Sequence, residues 1–366
     1  MTILAIILLV GSFALSLILT AVARKLATRA GLVVHPAPDR YHQTTVPLGG
    51  GIAIFSTLTA IIIVAMAIVR FLAVPGYLDW LGEAVTIHAS GFLSKIGQLV
   101  IILLCVLVLF GLGLWDDKKH LGPYFKLAVQ FAVAVTAAAF AETRVELFIE
   151  NRVITSVLSA VWIVLIINAF NFLDNMDGLA AGIAVITSCI LFVAAAISGQ
   201  VFVGSLAVVF IGTLLGFLVF NFPPAKIFMG DAGSLVVGFF VALLTLRTTY
   251  YHEAEPGSLY PIFMPLLVMA VPLYDFISVT LLRISQGQSP FIGDTQHFSH
   301  RLKKHGLTDT QTVLTLYLAT LCTGLGATFL YQVNLAGAIL IFTQTLMVLA
   351  IIAIFETTAK NDRSGD

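Results

Sequence analysis

Long apolar stretches alternate with short polar connections over almost the whole chain. The apolar runs fall at about 2–23, 48–69, 96–114, 125–141, 154–171, 178–198, 201–220, 234–250, 262–284, 311–331 and 334–355. Most are long enough to cross the ~30 Å hydrocarbon core of a bilayer as a helix. The pattern therefore predicts an all-α fold, a polytopic transmembrane bundle of about 11 helices. Some runs are short for an upright crossing and are expected to pack inside the bundle. Pro261, Pro265 and Pro272 in the ninth run predict a kinked or broken helix. The longest connections are about 24 to 26 residues, too short for a soluble domain. The chain reads as one integral membrane domain over 1–366: a core over about 31–306, two C-terminal helices over 307–356 and a tail over 357–366. No internal repeat is visible, so the inverted-repeat signature of many transporters is not evident.

Composition strengthens this picture. Of 366 residues, 59% are hydrophobic and 10% charged, with a mean hydropathy of +1.02, which excludes an ordinary soluble domain. Acidic and basic residues balance at 19 each, so no nucleic-acid partner is implied. Cys105, Cys189 and Cys322 lie in apolar runs and read as small buried residues, not as a disulfide framework or metal cluster. No basic residue precedes the first run, while Arg24 and Lys25 follow it. It is therefore expected to remain as an anchor, not to be cleaved near Ala21-Val22-Ala23. Of the 19 basic residues, 14 lie after odd-numbered runs or in the tail. The positive-inside rule then places those connections and the C-terminus in the cytoplasm and the N-terminus outside.

Every prominent polar cluster lies on that same predicted side. The third run ends in Trp115-Asp116-Asp117-Lys118-Lys119, where adjacent carboxylates can meet a hard cation such as Mg²⁺ and a phosphate group. A solvated loop in which the acids neutralise the lysines is the bland alternative. The first connection carries Arg40 and His42, then Gly49-Gly50-Gly51 opens the second helix. Bare N–H groups there would let a phosphate approach. The competing reading is a membrane-surface loop and a small-residue helix contact. Lys126 follows Gly122-Pro123 and can reach a phosphate as a point charge, or simply snorkel.

Asn168, Asn171, Asp174 and Asp177 recur every three residues before Gly178, a costly arrangement near lipid unless it is used. The segment from Asn221 to Ser234 places Asp231 between Gly230 and Gly233. Ser234 is the expected N-cap of the eighth helix, whose positive end favours an ionised Asp231 as a metal ligand. Phe228 can offer an aromatic face to a base, or merely pack. His297, His300 and Arg301 are spaced to converge on one helical turn and suit a pyrophosphate. Zinc is disfavoured there because thiol ligands are lacking, whereas a basic loop on anionic lipid remains an alternative. Asp275 is an acid inside an apolar helix, with no role assigned.

The ordered motifs Trp-Asp-Asp, Asn-x-x-Asn-x-x-Asp-x-x-Asp-Gly, Phe-x-Met-Gly-Asp-x-Gly-Ser and His-x-x-His-Arg resemble those of the polyprenyl-phosphate N-acetylhexosamine-1-phosphate transferases over roughly residues 31–306. Within that superfamily the chain looks more like the WecA-type undecaprenyl-phosphate GlcNAc-1-phosphate transferases. The phospho-MurNAc-pentapeptide translocases, the alternative, end in three adjacent histidines that this chain lacks. The resemblance implies an integral protein of the bacterial inner membrane acting on a UDP-N-acetylhexosamine and undecaprenyl phosphate. The product would open a cell-envelope polysaccharide pathway such as that of lipopolysaccharide O-antigen.

The resemblance further implies Mg²⁺, with Mn²⁺ as a substitute, ligated by Asp231, with Asp116 and Asp117 as secondary ligands or as groups that orient or deprotonate the lipid phosphate. Asp174, Asp177 and Phe228 would hold the uridine, and Asn168, Asn171 and Lys126 would line the phosphate path. His297, His300 and Arg301 would bind the diphosphate or sugar. Arg40, His42, Gly49, Gly50 and Asn221 complete the expected substrate contacts, and a homodimer is left open. Ser299 stands where these proteins usually carry a further histidine. From another functional class, a transporter or flippase of lipid-linked or anionic solutes would place its polar groups near the midplane on both halves of the bundle.

Overall fold

The structure, a computed structural model, describes residues 2–34, 45–78, 83–141, 143–144, 149–248, 250, 259–289, 298–304 and 306–358; side chains are described for these except at 83–90, 300, 304 and 356–358. The described helices are α1 (Thr2–Arg29), α2 (Gly50–Ile68), α3 (Glu83–Lys119), α4 (Pro123–Phe140), α5 (Arg152–Leu173), α6 (Leu179–Ile197), α7 (Val201–Asn221), α8 (Asp231–Arg247), α9 (Met264–Val268), α10 (Ala270–Ser285), α11 (Phe298–Lys304), α12 (Asp309–Thr328) and α13 (Leu335–Thr358). Two short strands, β1 (Val33–Val34) and β2 (Val46–Pro47), pair antiparallel.

Among the described residues nine helices are long and apolar enough to cross a membrane. The bent pair from Tyr260 to Ser285, turned by 59°, makes a tenth. The bend falls in the proline-bearing segment, where ring sterics and missing N–H groups interrupt the ladder. The one predicted span left over, the eighth along the chain, is α8. Its 17 residues extend only about 26 Å, and it is nearly wholly buried against α2, α3, α5 and α6. It is held at both ends. Its first N–H group meets Asp117 at the end of α3. Its last residue, Arg247, donates to Gln98 Oε1 at 2.8 Å near the middle of α3 and to Ala141 O at 2.6 Å beyond α4. The protein is thus a multi-pass, all-α membrane protein.

Small residues bring the helices close where no hydrophobic drive between them operates. In α1 the buried positions are Ser12, Ser16, Thr20, Ala23 and Ala27, a seam at near four-residue spacing. It lies on Gly212 and Gly216 of α7, where an added Cβ would strike the α1 backbone, and Ser16 Oγ donates to Thr213 O at 2.6 Å. Around α8 the same device recurs. Gly113 of α3 crosses the Ala232 backbone, Gly51 of α2 abuts Gly233, and Gly238 rests on Ile167 of α5. These crossings bring the ends of α2, α3, α5 and α8 together around Asp231.

Candidate active site

The acid pair at the end of α3 points in two directions. His120 takes a left-handed conformation (φ 46°) and turns the chain back, so Leu121 N–H donates to Asp116 Oδ1 at 2.6 Å. Asp116 Oδ2 accepts from the Lys126 ammonium at 2.6 Å. The same ammonium lies 3.3 Å from Asp231 Oδ2, so it bridges two carboxylates on separate helices. Asn171 Nδ2 donates to Asp231 Oδ1 at 3.0 Å and to Ser234 Oγ at 2.9 Å. Asp116, Lys126, Asn171 and Asp231 therefore form one continuous polar cluster.

Asp117 has a task beyond the one expected of it. Its Oδ1 accepts the Asp231 N–H at 2.9 Å and its Oδ2 accepts the Ala232 N–H at 3.2 Å. The first N–H groups of a helix lack partners within it, and here an acid from another helix supplies them. Both Asp117 oxygens are thereby engaged with the start of α8, a capping duty additional to the ligation or proton abstraction expected of it. Gly230 permits this closeness. Its φ is +70°, and a Cβ there would lie 2.8 Å from Asp117 Oδ2. The helix consequently starts at Asp231, and Ser234 is not its cap but the acceptor for Asn171.

The turn between α5 and α6 carries Asp174 and Asp177. Gly178 closes it in a left-handed conformation (φ 72°). Asn221 ties this turn to the loop before α8: its Oδ1 accepts the Gly178 N–H at 3.0 Å and its Nδ2 donates to Ile227 O at 2.9 Å. Asp177 Oδ2 accepts the Ala225 N–H at 2.8 Å. Tyr317 of α12 caps the turn by donating to Gly178 O at 2.5 Å. Asn221 is thus a buried clip between the turn and the loop before α8. Asp177 shares that clipping duty. Asn168 points away from Asp231, donating to Gln130 Oε1 of α4 at 2.7 Å and to Val164 O at 2.8 Å.

The N–H groups of Gly49 and Gly50, where the sequence predicts a phosphate cradle, are engaged within the protein. Both N–H groups donate to Phe228 O, at 3.4 and 2.9 Å, and Gly51 N–H donates to Met229 O at 2.9 Å. Phe228 N–H in turn donates to Pro47 O at 2.9 Å. Those glycines pin the loop before α8, and a Cβ on Gly50 would strike Phe217. Phe228 belongs to this strap through its backbone, with its ring half-buried.

Helix α11 approaches from the other side. Ser299 Oγ donates to Asn175 Oδ1 at 2.6 Å, and Arg301 Nη2 donates to Ser278 Oγ at 3.0 Å. Arg301 is thereby mounted next to the α5–α6 turn. Arg40, His42 and His297 lie outside the described residues, and of His300 only the backbone, within α11, is described.

Negative charge dominates the site. Asp174 has its carboxyl held well above the usual range, first by desolvation in its turn, then by the charges of Asp231, Asp117 and Asp177. A hydrogen bond from Gly230 N–H pulls the other way. Among the described residues no three acid, imidazole or thiol groups converge as a closed metal cage. The donor chemistry still fits a hard divalent cation. Asp231 and Asp116 offer only carboxylate oxygens, and they already hold one cation, the Lys126 ammonium, between them. Mg²⁺ characteristically takes one or two carboxylates and leaves the remaining positions to water and substrate phosphate.

Three participants escaped the sequence reading. Gln130 sits one turn beyond Lys126 on an apolar helix, and that four-residue spacing was a usable signal. Asn175 and Tyr317 act through partners more than a hundred residues away, which no local pattern reveals.

Comparison with known proteins agrees with this geometry. Residues 99–249, which include the α3, α5 and α8 contributions, match the model of glycosyl transferase family 4. The chain is 30% identical over 348 residues to a probable undecaprenyl-phosphate N-acetylglucosaminyl 1-phosphate transferase of Bacillus subtilis, covering 92% of this chain and 88% of that one. It is 30% identical to a decaprenyl-phosphate N-acetylglucosaminephosphotransferase of Mycobacterium tuberculosis, covering 82% and 76% respectively. It is 29% identical to the undecaprenyl-phosphate alpha-N-acetylglucosaminyl 1-phosphate transferase of Escherichia coli, covering 85% and 80%. With relatives matched nearly end to end and the acid cluster assembled at one rim of the bundle, the chain belongs to glycosyl transferase family 4, among the polyprenyl-phosphate N-acetylhexosamine-1-phosphate transferases.

Proposed function

We propose that this protein transfers GlcNAc-1-phosphate from UDP-GlcNAc to undecaprenyl phosphate, releasing UMP and leaving undecaprenyl-pyrophosphate-GlcNAc. The observation that carries the reading is the Lys126 ammonium held between Asp116 and Asp231 at the polar end of the bundle. A phosphate borne on a lipid reaches the protein at such a rim, and the names of the aligned relatives supply the sugar and the acceptor. The transporter alternative is disfavoured, because Asp116, Asp117, Lys126, Asn171, Asp174, Asp177 and Asp231 gather at one end and not across both halves.

In the reaction an oxygen of the lipid phosphate attacks the β-phosphorus of the donor, and the bond to the UMP oxygen breaks. One phosphoanhydride bond forms as another is lost, so positioning and charge neutralisation carry most of the catalysis. The lipid phosphate is already ionised near neutrality, which removes the need for a strong base. Mg²⁺, held by Asp231 with Asp116 beside it, would neutralise the diphosphate charge. Lys126 exchanges its carboxylate partners for phosphate oxygens. Asn171 orients the Asp231 carboxylate, and Asp117 fixes the backbone that carries it. Asp174 faces the same space, and Arg301 with the neighbouring histidines His297 and His300 meets the donor diphosphate or sugar. The site then opens to the cytoplasm, where nucleotide sugars are found, consistent with the distribution of basic residues.

Purified protein supplied with UDP-GlcNAc, undecaprenyl phosphate and Mg²⁺ is expected to release UMP, and EDTA to stop the release. Turnover that EDTA leaves untouched would remove the cation from the reading. No UMP from UDP-GlcNAc, with release from another UDP-N-acetylhexosamine, would change the sugar.

A further inference from the structure

Asp275 belongs to none of the clusters above, yet it is a carboxylate with no exposed surface. Its Oδ1 accepts the Phe298 N–H at 3.0 Å. Phe298 is the first described residue of α11, so an acid on α10 holds the backbone N–H at the start of the described part of that helix. Two further bonds seat α11: Ser299 to Asn175 on the α5–α6 turn, and Arg301 to Ser278 on α10. Asn175 is itself steadied by donating to Phe172 O at 2.6 Å. The Phe298 ring is fully buried, edge-on to Tyr274 at 6.3 Å. Three polar contacts on two separate elements therefore fasten the described stretch of α11, Phe298–Lys304.

A helix within a protein owes most of its stability to tertiary contacts. Its position comes from what it is fastened to, and a buried carboxylate is a costly fastening unless its hydrogen bonds are strong. Asp275 also lies level with the site. The residue bonded to it, Phe298, is followed directly by one bonded to Asn175, two positions before Asp177. It is therefore not an isolated acid in an apolar helix but is linked through Phe298 and Ser299 to the α5–α6 turn.

We propose that Asp275 is a positioning residue for the donor. By holding the Phe298 N–H, it presets the stretch from Phe298 to Arg301 against the α5–α6 turn before the UDP-sugar arrives. The inference rests on the reading that this segment meets the donor diphosphate.

The test is steady-state kinetics on the full-length protein with UDP-GlcNAc and undecaprenyl phosphate varied separately. Asp275→Asn keeps an oxygen that can accept the Phe298 N–H and is expected to stay within about threefold of the parent. Asp275→Ala removes it and is expected to raise the donor KM roughly tenfold or more while kcat and the lipid KM move little, the signature of lost binding common to ground and transition states. Ser299→Ala introduces no unpaired charge and is expected to raise the donor KM in the same direction by a smaller factor. It decides the question should Asp275→Ala fail to fold. A lower melting temperature with an unchanged donor KM in the folded variants would reduce Asp275 to a structural role and overturn the proposal. Absence of transfer by the parent itself would instead count against the functional reading.

Discussion

Asp117 on α3 and Asp231 on α8 are joined through the backbone of one and the side chain of the other, at 2.9 Å. Two acids that the sequence offers as a first and a secondary ligand candidate are thus joined with distinct structural roles. One presents a carboxylate to the site, and the other holds the helix that carries it. Helix caps are worth about 1–2 kcal/mol, and a charged acceptor strengthens them. Asp117→Ala is expected to lower the melting temperature by several degrees and to cut kcat. Asp231→Asn is expected to abolish turnover and leave the melting temperature at or above that of the parent. Thermal unfolding beside UMP release separates the two; equal stability losses in both variants would contradict the division.

Lys126 is the cation that lets Asp116 and Asp231 approach each other. Its side chain is 25% exposed, which places the pair between a surface and a buried salt bridge. Lys126→Met is expected to cost about 1–2 kcal/mol in the absence of metal and to inactivate the enzyme. Added Mg²⁺ should then raise the melting temperature of the variant more than that of the parent, since a ligand that binds only the folded state stabilises it by mass action. A variant indifferent to Mg²⁺ would argue against a cation site at Asp231.

The crowding of acids around Asp174 has a pH signature. Its folded-state carboxyl titrates above the unfolded one, so its contribution favours folding at low pH and is lost as pH rises through the raised value. Loss begins near the unfolded value of about 4 and continues upward. Asp174→Asn is expected to stabilise the metal-free protein at neutral pH and to lose activity, with the difference in melting temperature shrinking toward acid pH. A constant difference across pH would show that charge is not the cause.

Gly111 and Gly113 look alike in the sequence motif but not in space. A Cβ on Gly113 would fall on the backbone of Ala232, whereas one on Gly111 meets nothing within 4 Å. Overpacking against backbone costs about 1–3 kcal/mol or more. Gly113→Ala is expected to destabilise the protein and to reduce kcat by shifting Asp231, while Gly111→Ala leaves both unchanged.

How far the sequence speaks can be judged residue by residue. The helices were legible because lipid demands long apolar runs, and even the break at the prolines of the ninth run was visible. The acids near Asp231 were legible because charge near lipid is rare and calls for a use. The roles of Asp117, Asn221, Gly49 and Gly50 were not, since each is fixed by a backbone partner that only the assembled bundle supplies. Asp117 differs from Asp116 by one position on a helix, about 100° of rotation, and that rotation alone selects a cap instead of a cation partner. Helix α8 begins earlier than its apolar run, because Asp117 provides from outside the cap that Ser234 was expected to provide from within.

Helix α8 is tethered at both ends, by Asp117 at its start and by Arg247 at its finish. It cannot slide along its axis without releasing one tether, and it is walled off from lipid along its length. The depth of the Asp231 carboxylate is therefore set by protein and not by the thickness of the surrounding membrane. A bilayer that thins or swells is then met by tilting of the lipid-exposed helices, while the Asp231 carboxylate keeps its level.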